Sequence, residues 1–270
     1  MLKDITLGQY FPGSSIIHRM DPRVKLVLLF CFITALLLAG HAMTYWFLLL
    51  FLMLAVASSL IKPAALIKGM RPMVFIIVFT AVLNIFYTSG EPLVSFWVFS
   101  ITAEGIERAV FMVLRFLMLI SCTFMLTYTT SPIALSDALA RLMSPLALIR
   151  VPVHEFSMMM TIALRFIPTI IEETDKIMSA QKARGADFET GNLFRRAKAL
   201  IPLLVPLFVS AFRRADELAV AMECRCYHGG EGRTRMKQLH MTREDALILS
   251  GSLLALAGIT VLGRLGWFLS

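Results

Sequence analysis

Residues 26–61 read LVLLFCFITALLLAGHAMTYWFLLLFLMLAVASSLI, 36 positions without one Asp, Glu, Lys or Arg. As a single helix this run would be about 54 Å long, well beyond a hydrocarbon core of about 30 Å. It must fold back on itself. The polar-leaning stretch Gly40-His41-Ala42-Met43-Thr44 is the place for the turn, so two membrane spans are expected at about 25–40 and 45–61, the second closed by Lys62-Pro63. Outward from this pair, residues 73–90 form an uncharged run of 18, closed by Thr88-Ser89-Gly90-Glu91-Pro92. A fourth span is expected at 106–129, and residues 246–263, again 18 without a charge, supply a fifth.

Composition agrees. The 270 residues are 58% hydrophobic and 16% charged, with a mean hydropathy of +0.76, far too apolar for an ordinary soluble domain. Cysteines stand at 31, 122, 224 and 226, in apolar runs or beside basic residues, and imply no disulfide framework. Before Leu26 come Lys3, Asp4, Arg19, Asp21, Arg23 and Lys25, with no short apolar core and no small-residue cleavage site, so this start is expected to be retained.

Residues 131–245 read differently, because charges interrupt the apolar residues every few positions, as in Ala163-Leu164-Arg165-Phe166-Ile167 and Ala211-Phe212-Arg213-Arg214. Such interruption is the mark of amphipathic helices. The longest uncharged run in this region, 199–212, has 14 residues and two prolines, better suited to a buried or interfacial helix than to a span. Three helices are expected, at roughly 132–148, 152–184 and 192–226. The expected fold class is thus an all-α integral membrane protein of five transmembrane helices plus a domain of three amphipathic helices. The parts divide as 1–130, the N-terminal segment and spans one to four; 131–242, the amphipathic domain; and 243–270, span five.

Charge sets the orientation. Lys and Arg number four in 1–25, three in 62–71 and 16 in 131–245, whereas the loops 41–44 and 90–104 have none. By the positive-inside rule the basic side, with the N-terminus, is cytoplasmic. The net charge of +8 is explained by this orientation, and no nucleic-acid partner is implied.

No Gly-x-x-x-x-Gly-Lys-Ser/Thr loop, His-Glu-x-x-His or Gly-x-Ser-x-Gly occurs, and the five histidines are scattered at 18, 41, 154, 228 and 240. The chain is expected to be no enzyme, with no catalytic residues, no cofactor and no metal; Cys224-Arg225-Cys226 with His228 is too sparse a ligand set. What the arm does contain is an echo. Two long amphipathic stretches end alike, one in Gln181-Lys182-Ala183-Arg184-Gly185-Ala186, the other in Glu223-Cys224-Arg225-Cys226-Tyr227-His228-Gly229-Gly230. Small neighbours expose an arginine whose five donors can pair with a partner protein. Equally, each arginine can complement a helix dipole beside a Gly185 or Gly229 cap. Arg115, in the fourth apolar run, reads either as lining a path or as pairing within the bundle. Pro168, Pro202 and Pro206 are expected to bend the two long helices, and 17 methionines, Met158-Met159-Met160 among them, suit an adaptable surface.

Several stretches together resemble the EcfT/CbiQ family of energy-coupling-factor transporters. They are Tyr10-Phe11-Pro12-Gly13-Ser14-Ser15 through His18-Arg19-Met20-Asp21-Pro22-Arg23-Val24-Lys25, then Leu164-Arg165-Phe166-Ile167-Pro168 with Glu172-Glu173, then Glu217-Leu218-Ala219-Val220-Ala221-Met222-Glu223 and Gly229-Gly230-Glu231-Gly232-Arg233-Thr234-Arg235. The resemblance implies the transmembrane coupling component of an importer for vitamins or transition metals in a prokaryotic plasma membrane. It implies two ABC-type ATPase subunits and a small substrate-binding membrane subunit as partners, besides the bilayer. The docking residues it implies are Ala183, Arg184 and Gly185 at one helix end and Cys224, Arg225 and Cys226 at the other. Family members usually have a small residue before the second arginine and glycine or serine after it, so the two cysteines are a departure. The alternative is a conventional ABC permease passing substrate through its own bundle, but only Arg115 and Asn84 offer polar groups there. An intramembrane enzyme lacks convergent acids, bases or ligands.

Overall fold

The computed structural model describes residues 10–88, 92–96, 99–188, 192–229 and 240–269. Lys3, Asp4, Ser89, Gly90, Glu91 and the family-like stretch 230–235 lie outside the described residues. The chain divides into two compact units, Gly8–Leu139 with Leu239–Ser270, and Ala140–Gln238.

The first unit begins with a single turn α1 (Ile16–Arg19), then α2 (Pro22–Leu38), α3 (Ala42–Ser59), α4 (Pro63–Met70) and α5 (Val74–Tyr87), with a 3₁₀ turn (Arg71–Met73) between the last two. A hairpin of β1 (Pro92–Phe96) and β2 (Phe99–Thr102) leads into α6 (Ala103–Thr129) and α7 (Pro132–Leu142), and α10 (Arg243–Leu269) completes the unit. Among the described residues, four stretches are long and apolar enough to cross a membrane: Ala42–Ser59, Pro63–Tyr87, Ala103–Thr129 and Arg243–Gly263. The all-α membrane architecture expected from the sequence is borne out. At 17 residues α2 is shorter than these four. The second of these, Pro63–Tyr87, starts before the expected 73–90, because the helical path runs back through Lys68 and Arg71; Pro72, lacking an N–H, loosens it there to the 3₁₀ turn. The expected outer loop instead contains the hairpin, whose antiparallel register sets Val94 opposite Ile101, Ser95 opposite Ser100 and Phe96 opposite Phe99. The β-branched and aromatic content of this run favours strands.

The core of this unit is made where α2, α3, α6 and α10 meet. Phe32, Leu36, Leu48, Met118, Cys122 and Leu256 are buried there together. Elsewhere the helices turn large apolar side chains outward: Trp46, Met53, Phe75 and Phe79 are exposed. Such faces fit hydrocarbon, in which helices satisfy their own backbone groups. Gly105 lets α6 lie against α5, since a Cβ there would sit 3.0 Å from the Ile85 carbonyl oxygen. Arg115 donates to the Ala39 carbonyl (3.1 Å) and the Tyr45 hydroxyl (2.6 Å), its guanidinium 5.8 Å from the Tyr45 ring centre. It therefore pairs within the bundle, satisfying an orphan carbonyl at the end of α2.

The second unit contains a 3₁₀ turn (Ser144–Ile149) and two long helices, α8 (Val153–Ala183) and α9 (Leu193–Cys224). They match the stretches expected at 152–184 and 192–226. The first expected amphipathic helix ends early as α7, whose Leu135 and Ala138 pack with Leu26 and Leu126.

Candidate docking site

The ends of α8 and α9 are set by the way the two helices cross. Near the C-terminus of α8, the Gln181 amide donates to the Pro202 carbonyl (3.5 Å), early in α9. That carbonyl is free because its helical donor would be the residue four positions on, Pro206, which has no N–H. The proline thus leaves an acceptor that the neighbouring helix uses. Farther along, Glu173 accepts from the Ser210 hydroxyl with one carboxylate oxygen and from Arg214 with the other, at 2.6 Å. Both partners are only partly buried, so this pair contributes about 1 kcal/mol at most. Its geometric effect is larger. The contacts 181 to 202 and 173 to 210 fix an antiparallel crossing, which places the C-terminus of α9 some 22 residues, or about 33 Å, away from the C-terminus of α8, on the side of the N-terminal half of α8.

The two ends close with the same hydrogen bonds. At the end of α8, Gly185 N–H donates to the Lys182 carbonyl (3.0 Å) and Ala186 N–H to Gln181 (3.0 Å). At the end of α9, Cys226 N–H donates to the Glu223 carbonyl (2.8 Å) and Tyr227 N–H to Met222 (3.0 Å). Each is a Schellman closure, with one residue in the left-handed conformation immediately after the arginine. That residue is Gly185 (φ +88°) in the first and Cys226 (φ +54°) in the second. Gly185 is the cap expected from the sequence; Gly229, also at positive φ, lies three residues past the true closure, and Cys226 does the capping. Arg184 and Arg225 hold equivalent positions, and Ala183, Arg184, Gly185, Cys224, Arg225 and Cys226 are all exposed. Docking and capping are therefore compatible: the backbone closes the helix and leaves the guanidinium free to reach outward. The model for the cobalt transport protein family, CbiQ, matches residues 13–236, which include both helix ends.

The chain belongs to the CbiQ family.

Its relatives in that family include the energy-coupling factor transporter transmembrane protein EcfT of Ruminiclostridium cellulolyticum, 54% identical over 248 residues that cover 92% of this chain and 93% of the relative. The EcfT of Clostridium kluyveri is 51% identical over 269 residues, 99% of each chain, and that of Bacillus subtilis 46% identical over 260 residues, 96% and 98%. The resemblance read from the sequence is borne out, and this CbiQ-family chain is a transmembrane component of an energy-coupling factor transporter. Among the described residues no three His, Cys, Asp or Glu side chains gather as a metal site. All four cysteines are free.

Sequence reasoning missed how the family stretches work. In the sequence Glu173 shows only as part of Glu172-Glu173, and Arg214 only as a charge in an amphipathic pattern; their pairing needs the antiparallel crossing. Lys25, in the sequence one of the four basic residues of 1–25, is buried.

Proposed function

We propose that this chain is the mechanical link of its transporter, with residues 131–242 as a cytoplasmic coupling arm, the N-terminus cytoplasmic and α2 as a fifth crossing. Arg184 and Arg225 dock into two ABC-type ATPase subunits. The arm also engages a small substrate-binding membrane subunit, which carries the specificity for a vitamin or transition metal. ATP is hydrolysed in the partners, and the chain itself is no enzyme.

The observation that carries this reading is the pair of equivalent arginine-bearing helix ends, both exposed and about 33 Å apart along α9. Two similar, separated ends suit two similar subunits. An arm of this kind transmits work only through contacts that differ between the ATPase states, since a contact equal in both shifts nothing.

Native sulfur provides the test. Cys224 and Cys226 flank Arg225 and are exposed, whereas Cys122 is buried and Cys31 partly so. In the isolated chain an impermeant maleimide is expected to label 224 and 226 quickly, with 31 and 122 slow as internal controls. In the complex with its ATPases, a groove that seats Arg225 must cover its neighbours, so at least one of the two becomes protected. Equal labelling with and without the ATPases would reduce the end of α9 to a simple cap.

A further inference from the structure

Among the described residues, the buried charges are gathered at one place, where three helix ends meet. Lys25, Asp21 and Asp245 are each only 5–6% exposed. Lys25 Nζ donates to the Thr129 carbonyl (3.0 Å), the Thr130 hydroxyl (3.2 Å) and the His18 carbonyl (3.4 Å), which uses all three of its donors. Asp21 caps the N-terminus of α2, accepting from Arg23 N–H (2.8 Å). Asp245 does the same for α10 in a capping box: one oxygen accepts from the Thr242 N–H (3.0 Å) and hydroxyl (2.8 Å), while the Thr242 hydroxyl accepts from Asp245 N–H (3.2 Å). The other Asp245 oxygen accepts from Asp21 N–H (3.2 Å), joining the two caps.

Each charge matches the helix end it meets. Carboxylates stand at the N-termini of α2 and α10, and the ammonium at the C-terminus of α6, the favourable sense in all three cases. Asp21 and Asp245 are the opposite charges that act on Lys25. Burying such a group gains no stability over apolar packing of the same volume, and its best attested use is to fix one arrangement among several.

The position of the cluster along the chain gives that arrangement a purpose. The chain leaves the first unit after Leu139 and returns at Leu239. Thr129 and Thr130 lie just before the exit, Thr242 and Asp245 just after the return, and Lys25 and Asp21 hold both to α2. We infer that Lys25, with Asp21 and Asp245, is the positioning joint that passes movement of the arm into the membrane helices. This role rests on the coupling function proposed above. A force on either connection meets a fixed point instead of being absorbed by slippage of α6 or α10 against α2.

The test uses the whole complex with its ATPases in nanodiscs, on a chain freed of native cysteines and spin-labelled at Lys176→Cys and Met43→Cys, both exposed positions. Label separations are measured without nucleotide and with ATP and vanadate. The unmodified joint is expected to give a narrow distribution that moves with nucleotide. Lys25→Met, which keeps the apolar stem, is expected to double its width and remove the shift while ATP hydrolysis by the complex stays within twofold; Lys25→Arg restores both. If Lys25→Met does not accumulate, Thr130→Val and Asp245→Asn, which each remove one connection, carry the same expectation. A width and shift equal to those of the unmodified joint in these variants overturn the inference. No shift in the unmodified joint itself would overturn the coupling reading instead.

Discussion

At the end of α8 a glycine takes the left-handed position, and at the end of α9 a cysteine takes it, with the same two hydrogen bonds closing each helix. Glycine occupies that conformation freely, whereas a residue with a Cβ loses roughly 1–2 kcal/mol there. The equivalence of the two ends therefore lies in the backbone and in the arginine before it, and their residues differ only in how much strain they carry. The same closure is built twice, at unequal stability.

That comparison breaks most visibly at the arginines. Arg184→Ala with Arg225→Ala is expected to abolish retention of both ATPase subunits on the tagged chain, with normal insertion, since neither residue lies in a membrane-crossing helix. Each single substitution is expected to lose one contact only. Lys at either position should restore binding in part, because it lacks the planar fork of donors. Full retention by the double variant would leave the two ends as caps.

The next effect is on the backbone, and its sign differs between the ends. Gly185→Val places a β-branched residue in the left-handed region and is expected to destabilise that closure by about 1–2 kcal/mol. Hydrogen exchange at the Gly185 and Ala186 amides should then quicken by roughly tenfold. Cys226→Gly is expected to act oppositely, slowing exchange at Cys226 and Tyr227 by up to about fivefold, a little under 1 kcal/mol. If Cys226→Gly leaves those amides unchanged, the strain at the second end is not real.

The smallest expected effect is at Gln181, which belongs to the crossing and not to either cap. Gln181→Ala should lower the stability of the α8 and α9 pair by about 0.5 kcal/mol, because the bond is long and exposed. A thermal-unfolding shift as large as that from Gly185→Val would mean the end of α8 is held by its neighbour more than by its own closure.

Much of this was legible beforehand, for identifiable reasons. Charge-free runs such as 246–263 mark crossings because hydrocarbon admits little else, and a shorter uncharged run such as 199–212 between charged flanks marks a long two-faced helix. Both arginines stood out as a repeat of letters. What the letters hid was register. Gly229 looked like the natural cap, but the closure falls where the hydrogen bonds do, at Cys226. Lys68 and Arg71 broke the uncharged run, so the helical path of α4 into α5 was read as a link. The hairpin strands within 92–102 read as a loop in the sequence, because so short a stretch between two apolar runs leaves too little periodicity to tell. Lys25 stands in the sequence as one basic residue among the four of 1–25, since burial of an ammonium depends on acceptors more than 100 positions away, at Thr129 and Thr130.

The length of α2 has a consequence for the surrounding lipid. Its 17 residues rise about 26 Å, a few ångströms less than a hydrocarbon core of about 30 Å. As a crossing, α2 would end short of the membrane surface on its C-terminal side, and the Ala39 carbonyl held by Arg115 would mark the depth at which it stops. A shortfall of this kind is met by thinning of the bilayer around the short helix, at a fraction of a kcal/mol per ångström. The leaflet at the C-terminal end of α2, beside α6, would carry a shallow dimple, bringing headgroups and water down to the guanidinium.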